Sequence, residues 1–197
     1  EIAELGIPVG TEALSPFTVR YLSDLVSWYA IGARTTESQT HREMASGLSA
    51  PVGFKNGTEG GLDVAMNAML SARAPHQFMG IQGNGKVATI ISNGNSYSHL
   101  ILRGSSKGPN YDSVCVKDAR DALHKAGLRE KIVVDCSHGN SNKDYRRQPL
   151  VFADLINQIC STDGAIAGIM LESNLHEGNQ PLKNPKNLKI TKRKLMK

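Results

Sequence analysis

The sequence predicts an α/β fold in which helices flank a parallel sheet. Short, nearly continuous apolar segments alternate with segments whose apolar residues recur at helical spacing. This alternation is typical of parallel sheets with helices packed outside. A chain of 197 residues, 40% of them hydrophobic, is long enough for one domain with a sizeable core.

Seven short apolar segments are predicted to be strands, and most end in a polar residue or a glycine. They are residues 6–12, 28–35, 50–57, 76–82, 98–104, 131–138 and 165–173.

Four intervening segments are predicted to be helices. Ser15-Pro16 is typical of a helix cap followed by proline at the first helical position. Gly127 is typical of the residue that follows a helix. The predicted helices are residues 17–28, 58–74, 111–127 and 145–160.

Two strand-like runs between residues 80 and 103 interrupt this alternation. We place the turn between them at Asn93-Gly94, a dipeptide typical of type I′ hairpins. The same region contains Gly80-x4-Gly85-Lys86, which is close to a phosphate-binding loop. However, Val87 stands where such a loop needs Ser or Thr, and a strand-like run follows where a helix is required. We therefore interpret the glycines as part of a turn in an excursion.

The net charge of +5 is concentrated at one end of the chain. Residues 183–197 carry seven Lys and Arg and no acid, so that removing these charges from +5 leaves −2 for the rest. No aromatic residues, which would stack on bases, are interleaved with them. We expect no nucleic-acid partner, and we divide the chain into a domain over residues 1–182 and a basic tail over residues 183–197.

The sequence favours a cytoplasmic location. No apolar run approaches the roughly 20 residues of a membrane span, and the N-terminus lacks the pattern of a signal peptide. Three cysteines without metal-type spacing argue for a reducing compartment. The first residue is Glu rather than Met, a first indication that the sequence is a fragment.

Polar side chains follow five of the predicted strands. They are Arg34, Lys55, Arg103, His138 and Glu172. A single Arg or Lys at a strand end more often forms a salt bridge at the rim than binds a ligand. However, parallel strands bring all five to one rim, where barrels and open sheets bind ligands. The three cationic side chains favour a bound phosphate or carboxylate. His138 and Glu172 are of residue types that bind divalent metals. The sequence therefore predicts a phosphorylated anion held beside a metal.

Four motifs resemble the type I 3-deoxy-D-arabino-heptulosonate 7-phosphate (DAHP) synthases of bacteria and fungi. They are GARTTESQTHREMASGLSAPVGFKNGT, LILRG, VVDCSHGNSNKD and IMLESNLHEGNQPL. The resemblance extends from about residue 4 to residue 182. It implies a TIM (β/α)8 barrel, here a partial barrel of strands three to eight with a β-hairpin excursion before the sixth strand.

The resemblance also implies an activity. Members of this family condense phosphoenolpyruvate with erythrose 4-phosphate to DAHP and phosphate, the first step of the shikimate pathway to aromatic amino acids. By resemblance, Arg34, Lys55 and Arg103 would bind phosphoenolpyruvate, and Glu12 would line the pocket. His138 would contact phosphoenolpyruvate and, with Glu172, bind a divalent metal such as Mn, Fe, Co or Zn. The residues expected to be catalytic are His138, Lys55 and Arg34.

Other parts of the family pattern do not occur in this sequence. They are a metal-binding Cys on the first barrel strand, a Lys-Pro-Arg-Thr motif on the second, and an Asp ligand in a Thr-Asp-Ala-Cys context. Residues 183–197 resemble no part of the family that we recognise. We therefore expect this chain alone to have little or no activity.

Two alternatives remain open. A related 3-deoxy-octulosonate 8-phosphate synthase would share the barrel, although GARTTESQTHRE favours the heptulosonate branch. The chain could instead be a non-catalytic partner that regulates a full-length synthase. The resemblance further implies a homo-oligomer and feedback inhibition by Phe or Tyr, with the inhibitor near Ser49 and the hairpin.

Overall fold

Eight strands and five α-helices make up the part of the chain that the structure, a computed structural model, describes, namely residues 1–161 and 164–174. The strands are β1 (Gly10–Glu12), β2 (Trp28–Ile31), β3 (Val52–Lys55), β4 (His76–Ile81), β5 (Val87–Ser92), β6 (Ser98–Leu102), β7 (Ile132–Asp135) and β8 (Ile166–Met170). The α-helices are α1 (Thr18–Leu22), α2 (Gln39–Ser46), α3 (Asp63–Arg73), α4 (Ser113–Lys125) and α5 (Gln148–Ser161). Two short 3₁₀ turns cover Ala3–Leu5 and Tyr145–Arg147.

Six of the strands form one parallel sheet in the order β1-β2-β3-β6-β7-β8. The strands β4 and β5 stand apart as an antiparallel hairpin. Each parallel pair is joined through a connection that crosses over one face, which is the arrangement of a TIM barrel. The prediction of a partial barrel with a hairpin excursion before the sixth strand is therefore confirmed. Among the described strands, β1 and β8 form the two edges.

The two faces of the sheet have different partners because side chains alternate along a strand. The outward-facing residues are buried against the helices. They include Val52, Phe54, Leu100, Leu102, Ile132 and Val134. On the inner face a smaller cluster of Ala30, Ile101 and Val133 packs with Trp28 and Met170. Lys55 and Asp135 occupy the inner positions at the carboxyl ends of β3 and β7. These two charged side chains therefore lie where the apolar interior ends.

Three of the four predicted helices are confirmed as α3, α4 and α5: α3 and α4 lie within the predicted bounds, whereas α5 begins three residues later and ends one residue later than predicted. The fourth, predicted over residues 17–28, is wrong in length, because α1 ends at Leu22 and Trp28 begins β2. The backbone of Trp28 is in register with Gly10, and this sheet pairing overrides the helical spacing. The helix α2 was not predicted.

The predicted turn of the hairpin is also wrong. The strands β4 and β5 are joined by residues 82–86, where Gly85 has a φ of 79°. The Asn93-Gly94 dipeptide instead leads from β5 towards β6. There, the buried Asn95 amide donates to the carbonyls of Ala45, Leu48 and Ala50 and fixes this passage against the start of β3. The two glycines interpreted as part of a turn in an excursion do lie in the excursion, but only Gly85 is in the turn, because Gly80 lies inside β4.

Residues 183–197 lie outside the described residues, so that the division of the chain at residue 182 stays a prediction. None of the helices in the described part of the chain combines the length and the apolar character needed to cross a membrane.

Candidate active site at the carboxyl rim of the sheet

The centre of the site is Asp135, the last residue of β7. Its Oδ2 atom lies 2.8 Å from Lys55 Nζ and 3.0 Å from His138 Nδ1. Its Oδ1 atom accepts hydrogen bonds from the backbone N–H and the hydroxyl of Ser137, at 2.9 and 2.6 Å. Two of the predicted site residues, Lys55 and His138, are therefore brought together by an acid that the sequence analysis did not single out.

Asp135 is buried and charged. Its side chain is 1% exposed, and that of Lys55 is 11% exposed. Burial alone would raise the pKa of Asp135, but the hydrogen bond from His138, the Lys55 ammonium and Ser137 together hold that pKa well below its usual value. The carboxylate is therefore ionised at neutral pH, and it is the kind of fully hydrogen-bonded buried charge that an apolar interior tolerates.

The ring of His138 is held by one of its two nitrogens. Nδ1 lies 2.7 Å from the Ser137 hydroxyl as well as 3.0 Å from Asp135, whereas Nε2 lies 3.6 Å from Glu172 Oε1. The backbone of His138 has a φ of 52°, a left-handed conformation that costs a non-glycine residue roughly 1–2 kcal/mol. Such strain is found where surrounding bonds fix a residue at a functional site.

Glu172, two residues beyond β8, is placed by a buried glutamine. The side chain of Gln148 donates to the Glu172 carbonyl at 3.0 Å and accepts from the Glu172 N–H at 3.1 Å. Gln148 is the first residue of α5, so that this pair ties the helix to the end of the neighbouring strand. The backbone at Glu172 is fixed, while its side chain is 65% exposed and free to take a ligand.

Three asparagines hold together the loops that carry the site. The buried Asn56 accepts from the Arg103 N–H at 2.9 Å, and the Asn110 side chain accepts from the Gly104 N–H at 2.7 Å. Asn140, also buried, accepts from the Asn110 N–H at 2.8 Å and donates to the Asp135 carbonyl at 2.8 Å. These bonds join the ends of β3, β6 and β7 into one unit.

Two glycines let the loops after β6 and β7 approach each other. Gly104 has a φ of 71°, and a side chain there would overlap the backbone of Gly139. A side chain at Gly139 would overlap the backbone of Ser105 in return. The glycines of the LILRG and SHGN segments are thus explained by close backbone packing, which brings Arg103 and His138 to adjacent positions.

The other three predicted residues lie on the same rim. Arg34 follows β2 and is exposed, and Arg103 follows β6. Neither side chain has an ion pair or hydrogen bond with another residue in the described ranges 1–161 and 164–174. The carboxylate of Glu12, at the end of β1, lies over Gly32 and occupies the space that a Cβ there would need.

Metal binding by the described residues would need more than one pair of ligands. Within residues 1–161 and 164–174, no group of three or more His, Cys, Asp or Glu side chains is arranged to hold an ion. His138 Nε2 and Glu172 Oε1, 3.6 Å apart, are spaced close to the roughly 3.0–3.5 Å expected of two ligands on one metal. Their spacing would therefore suit two corners of a divalent site, which would need further ligands.

A cavity of about 180 Å³ lies away from the rim between α1, the end of α2 and the hairpin. Its walls are mainly apolar, and they include Pro16, Val19, Met44, Ser49, Phe78 and Ile90. Both Ser49 and the hairpin were predicted to surround an inhibitor.

Comparisons with known proteins identify relatives of this chain. A model of the DAHP synthetase I family matches residues 2–197, a range that includes the predicted tail. The Tyr-sensitive phospho-2-dehydro-3-deoxyheptonate aldolase of Salmonella typhimurium is 56% identical over 186 residues, which are 94% of this chain and 52% of that protein. The Trp-sensitive enzyme of Escherichia coli is 50% identical over 182 residues, 92% of this chain and 52% of that protein.

A solved structure shows the same fold. The phospho-2-dehydro-3-deoxyheptonate aldolase of Francisella tularensis SCHU S4 superposes with a TM-score of 0.87 at 46% identity, covering 93% of this chain and 54% of that one. The chain thus spans about half the length of the relatives that it matches. On the family match and these identities, the chain belongs to the DAHP synthetase I family.

Proposed function

We propose that these residues form the phosphoenolpyruvate side of the active site of a DAHP synthase, a transferase that condenses phosphoenolpyruvate with erythrose 4-phosphate. The observation that carries the proposal is the continuous set of contacts from Lys55 through Asp135 and His138 to Glu172, at the rim where barrels bind substrates. The product would be DAHP, with release of phosphate.

The cations of the rim suit an anionic substrate. Arg34 and Arg103 keep their hydrogen-bond donors available, and a guanidinium group matches phosphate or carboxylate with two parallel bonds. Lys55 adds a third positive charge, which Asp135 holds in place. In our proposal these three residues bind the phosphate and carboxylate of phosphoenolpyruvate, and Glu12 lines the same pocket. Their positive charges offset the repulsion between two phosphorylated substrates.

His138 and Glu172 are our proposed metal ligands. Nδ1 of His138 faces a carboxylate, which leaves Nε2 as the ligand atom on the side of Glu172. A bound divalent metal would supply Lewis-acid polarisation of the sugar aldehyde. The chain's own contribution is to orient these two side chains and to place His138 next to the cationic side chains that would bind phosphoenolpyruvate.

The alternatives of the sequence analysis are less well supported. The curated relatives reported above carry heptonate aldolase names, which does not favour an octulosonate 8-phosphate synthase. A role as a regulatory partner of a complete synthase stays a hypothesis, as do the homo-oligomer and the cytoplasmic location.

For the cavity around Ser49, we propose an aromatic amino acid as the ligand. Its apolar wall, including Phe78 and Ile90, suits an aromatic ring, and Ser49 and Arg20 offer polar contacts. The relatives are named Tyr-sensitive and Trp-sensitive, so that tryptophan joins the Phe and Tyr predicted earlier as a candidate.

Binding of phosphoenolpyruvate tests the proposed function. We would measure it by calorimetry, with and without Mn²⁺, on this chain, on an Arg34→Ala variant and on an Arg34→Ala, Lys55→Ala double variant. We expect binding by the original chain, a roughly tenfold to hundredfold loss in the single variant, and no detectable binding in the double variant. Circular dichroism would establish that each variant is folded.

A matched control removes two exposed cations of α4 instead of two at the rim. Lys117→Ala with Lys125→Ala deletes the same charge from α4, and we expect it to leave binding unchanged. If the original chain did not bind phosphoenolpyruvate, or if both double variants bound it equally, the proposed substrate site would be wrong.

A further inference from the structure

We propose that Asp135 is a positioning residue that fixes the tautomer of His138 and the place of the Lys55 ammonium at the same time. The proposal deepens the proposed function, because it assigns to one carboxylate the task of aligning the metal ligand with the substrate-binding cation. It concerns a residue that would touch neither substrate nor metal.

Asp135 is surrounded by hydrogen-bond donors. Four hydrogen-bond donors point at Asp135: Lys55 Nζ, the backbone N–H of Ser137, the hydroxyl of Ser137 and His138 Nδ1. An ionised carboxylate has about four acceptor positions and no proton. The carboxylate is therefore fully used, and every group around it has to be a donor.

The contacts of His138 place its ring proton on Nδ1. The Ser137 hydroxyl gives its proton to Asp135 Oδ1 at 2.6 Å, so that its oxygen faces His138 Nδ1 as an acceptor at 2.7 Å. Asp135 Oδ2 is a second acceptor at 3.0 Å from the same nitrogen. With two acceptors in front of it, Nδ1 carries the proton, and Nε2 presents its lone pair to the side where Glu172 lies.

The surroundings of Asp135 hold it rigidly in place. Asp135 is in register with Met170 of β8, its carbonyl accepts from Asn140, and its side chain is almost completely buried. Water has little access to replace any of the four donors. A shift of Asp135 would therefore move Lys55 and His138 together.

The substitution Asp135→Asn separates this role from simple packing. It preserves size and shape but replaces one oxygen by an NH₂ group, whose two protons would face donors. Lys55 and His138 share Oδ2, so that an oxygen kept by Lys55 puts the NH₂ group in the place of Oδ1, beside Ser137. The Ser137 hydroxyl then accepts from the NH₂ group and turns its own proton towards His138 Nδ1, which becomes an acceptor. The ring then shifts towards the Nε2–H form, which has no lone pair for a metal.

Nitrogen NMR of the histidine ring measures this directly. The full chain would be labelled with ¹⁵N-histidine, kept free of metal and studied at about pH 8, where an ordinary imidazole is neutral. Long-range ¹H–¹⁵N spectra distinguish the two tautomers, and a His138→Gln variant identifies the His138 signals. We expect the Nδ1–H form in the original chain and a majority of the Nε2–H form in Asp135→Asn.

Two controls make the result specific. Ser137→Ala removes one of the two acceptors but keeps the carboxylate, and Lys55→Met removes the cation; both are expected to retain the Nδ1–H form. Backbone amide spectra would verify the fold of each variant. An Nε2–H form in the original chain overturns the proposal even if no variant folds, and an unchanged tautomer in a folded Asp135→Asn variant overturns it too.

Metal binding gives a second readout. We expect Asp135→Asn to weaken Mn²⁺ binding, followed by electron paramagnetic resonance, by about 10-fold to 100-fold, and Ser137→Ala to weaken it less. Equal Mn²⁺ affinity in the original chain and in Asp135→Asn would contradict the positioning role. The tautomer is observed without substrate. A failure of this proposal can therefore be distinguished from a failure of phosphoenolpyruvate to bind.

Discussion

Two histidines at opposite ends of the same sheet occupy contrasting environments. His99 lies near the amino end of β6, where it accepts a hydrogen bond from the indole N–H of Trp28 at 3.0 Å and has its other nitrogen 3.3 Å from the Tyr97 carbonyl. The rings of Trp28 and His99 are stacked, with centroids 5.9 Å apart. His138, beyond the carboxyl end of β7, has instead a buried carboxylate on one nitrogen and an exposed one near the other.

The difference is between a histidine whose two nitrogens both have partners in the fold and one that keeps a nitrogen available. Both nitrogens of His99 are satisfied inside the protein by uncharged groups, and burial lowers its pKa. Only one nitrogen of His138 is satisfied by the fold, while the other faces Glu172 at 3.6 Å, too far for a hydrogen bond. A partly exposed histidine with one nitrogen locked and one available is prepared to bind a ligand.

The largest expected effect comes from removing the partner of each histidine. Asp135→Ala leaves the Lys55 ammonium buried without its counter-charge, which costs about 3–5 kcal/mol. Trp28→Phe leaves one acceptor nitrogen of His99 unsatisfied and keeps an aromatic ring, which costs about 1–3 kcal/mol. Urea unfolding of both variants and of the original chain would measure the two free energies. Equal losses would mean that the charged contacts of Asp135 contribute no more to the free energy of unfolding than the neutral pair of Trp28 and His99.

An intermediate effect is expected at α5, which offers two buried glutamines on one helix. Gln148→Ala removes the two bonds that fix the Glu172 backbone, and it is expected to cost about 1–3 kcal/mol. We also expect a roughly 10-fold weaker affinity for Mn²⁺, because Glu172 is no longer held beside His138.

Gln158→Ala is the matched control for this prediction. Gln158 is as buried as Gln148, lies ten residues further along α5, and donates to the Tyr111 carbonyl and the Asp154 carboxylate. It should lower stability to a similar degree without changing Mn²⁺ affinity. A similar loss of metal affinity in both variants would show that α5 acts through stability alone.

The smallest effect concerns the pH dependence of stability. Burial lowers the pKa of His99, the Tyr97 carbonyl raises it in part, and Arg129 lowers it further. The folded state therefore keeps His99 neutral at a pH where the unfolded state, with the ordinary value of 6.5, takes up a proton. The stability contributed by His99 is complete above pH 6.5 and is lost as the pH falls towards the folded-state pKa.

Replacing His99 by Phe removes this contribution. Between about pH 7 and pH 5, we expect the urea midpoint of the original chain to fall more steeply than that of His99→Phe. Unfolding curves at several pH values would show it. Parallel curves for the two proteins would mean that His99 takes up protons equally in the folded and the unfolded state.

The sequence supplied the outer members of the site but not its centre. Lys55, His138 and Glu172 were found because each follows an apolar strand, and the structure places them on one rim. Asp135 carried a weaker signal, an acid as the last residue of the apolar strand KIVVD. Gln148 carried none that we recognise, because a glutamine at a helix start gives no indication that its amide will meet the backbone of a strand 24 residues later.

The sequence by itself determined the alternation of strands and helices, the polar strand ends and the family, because these depend on local periodicity and on contiguous motifs. Tertiary structure decided which residues meet. The sheet pairing of Trp28 ended α1 early, and the antiparallel pairing of β4 with β5 placed the hairpin turn at residues 82–86. The order of β3, β6 and β7 brought Lys55 next to Asp135 across 80 residues. Such contacts depend on strand neighbours and register, which packing against the rest of the fold sets and which no local pattern encodes.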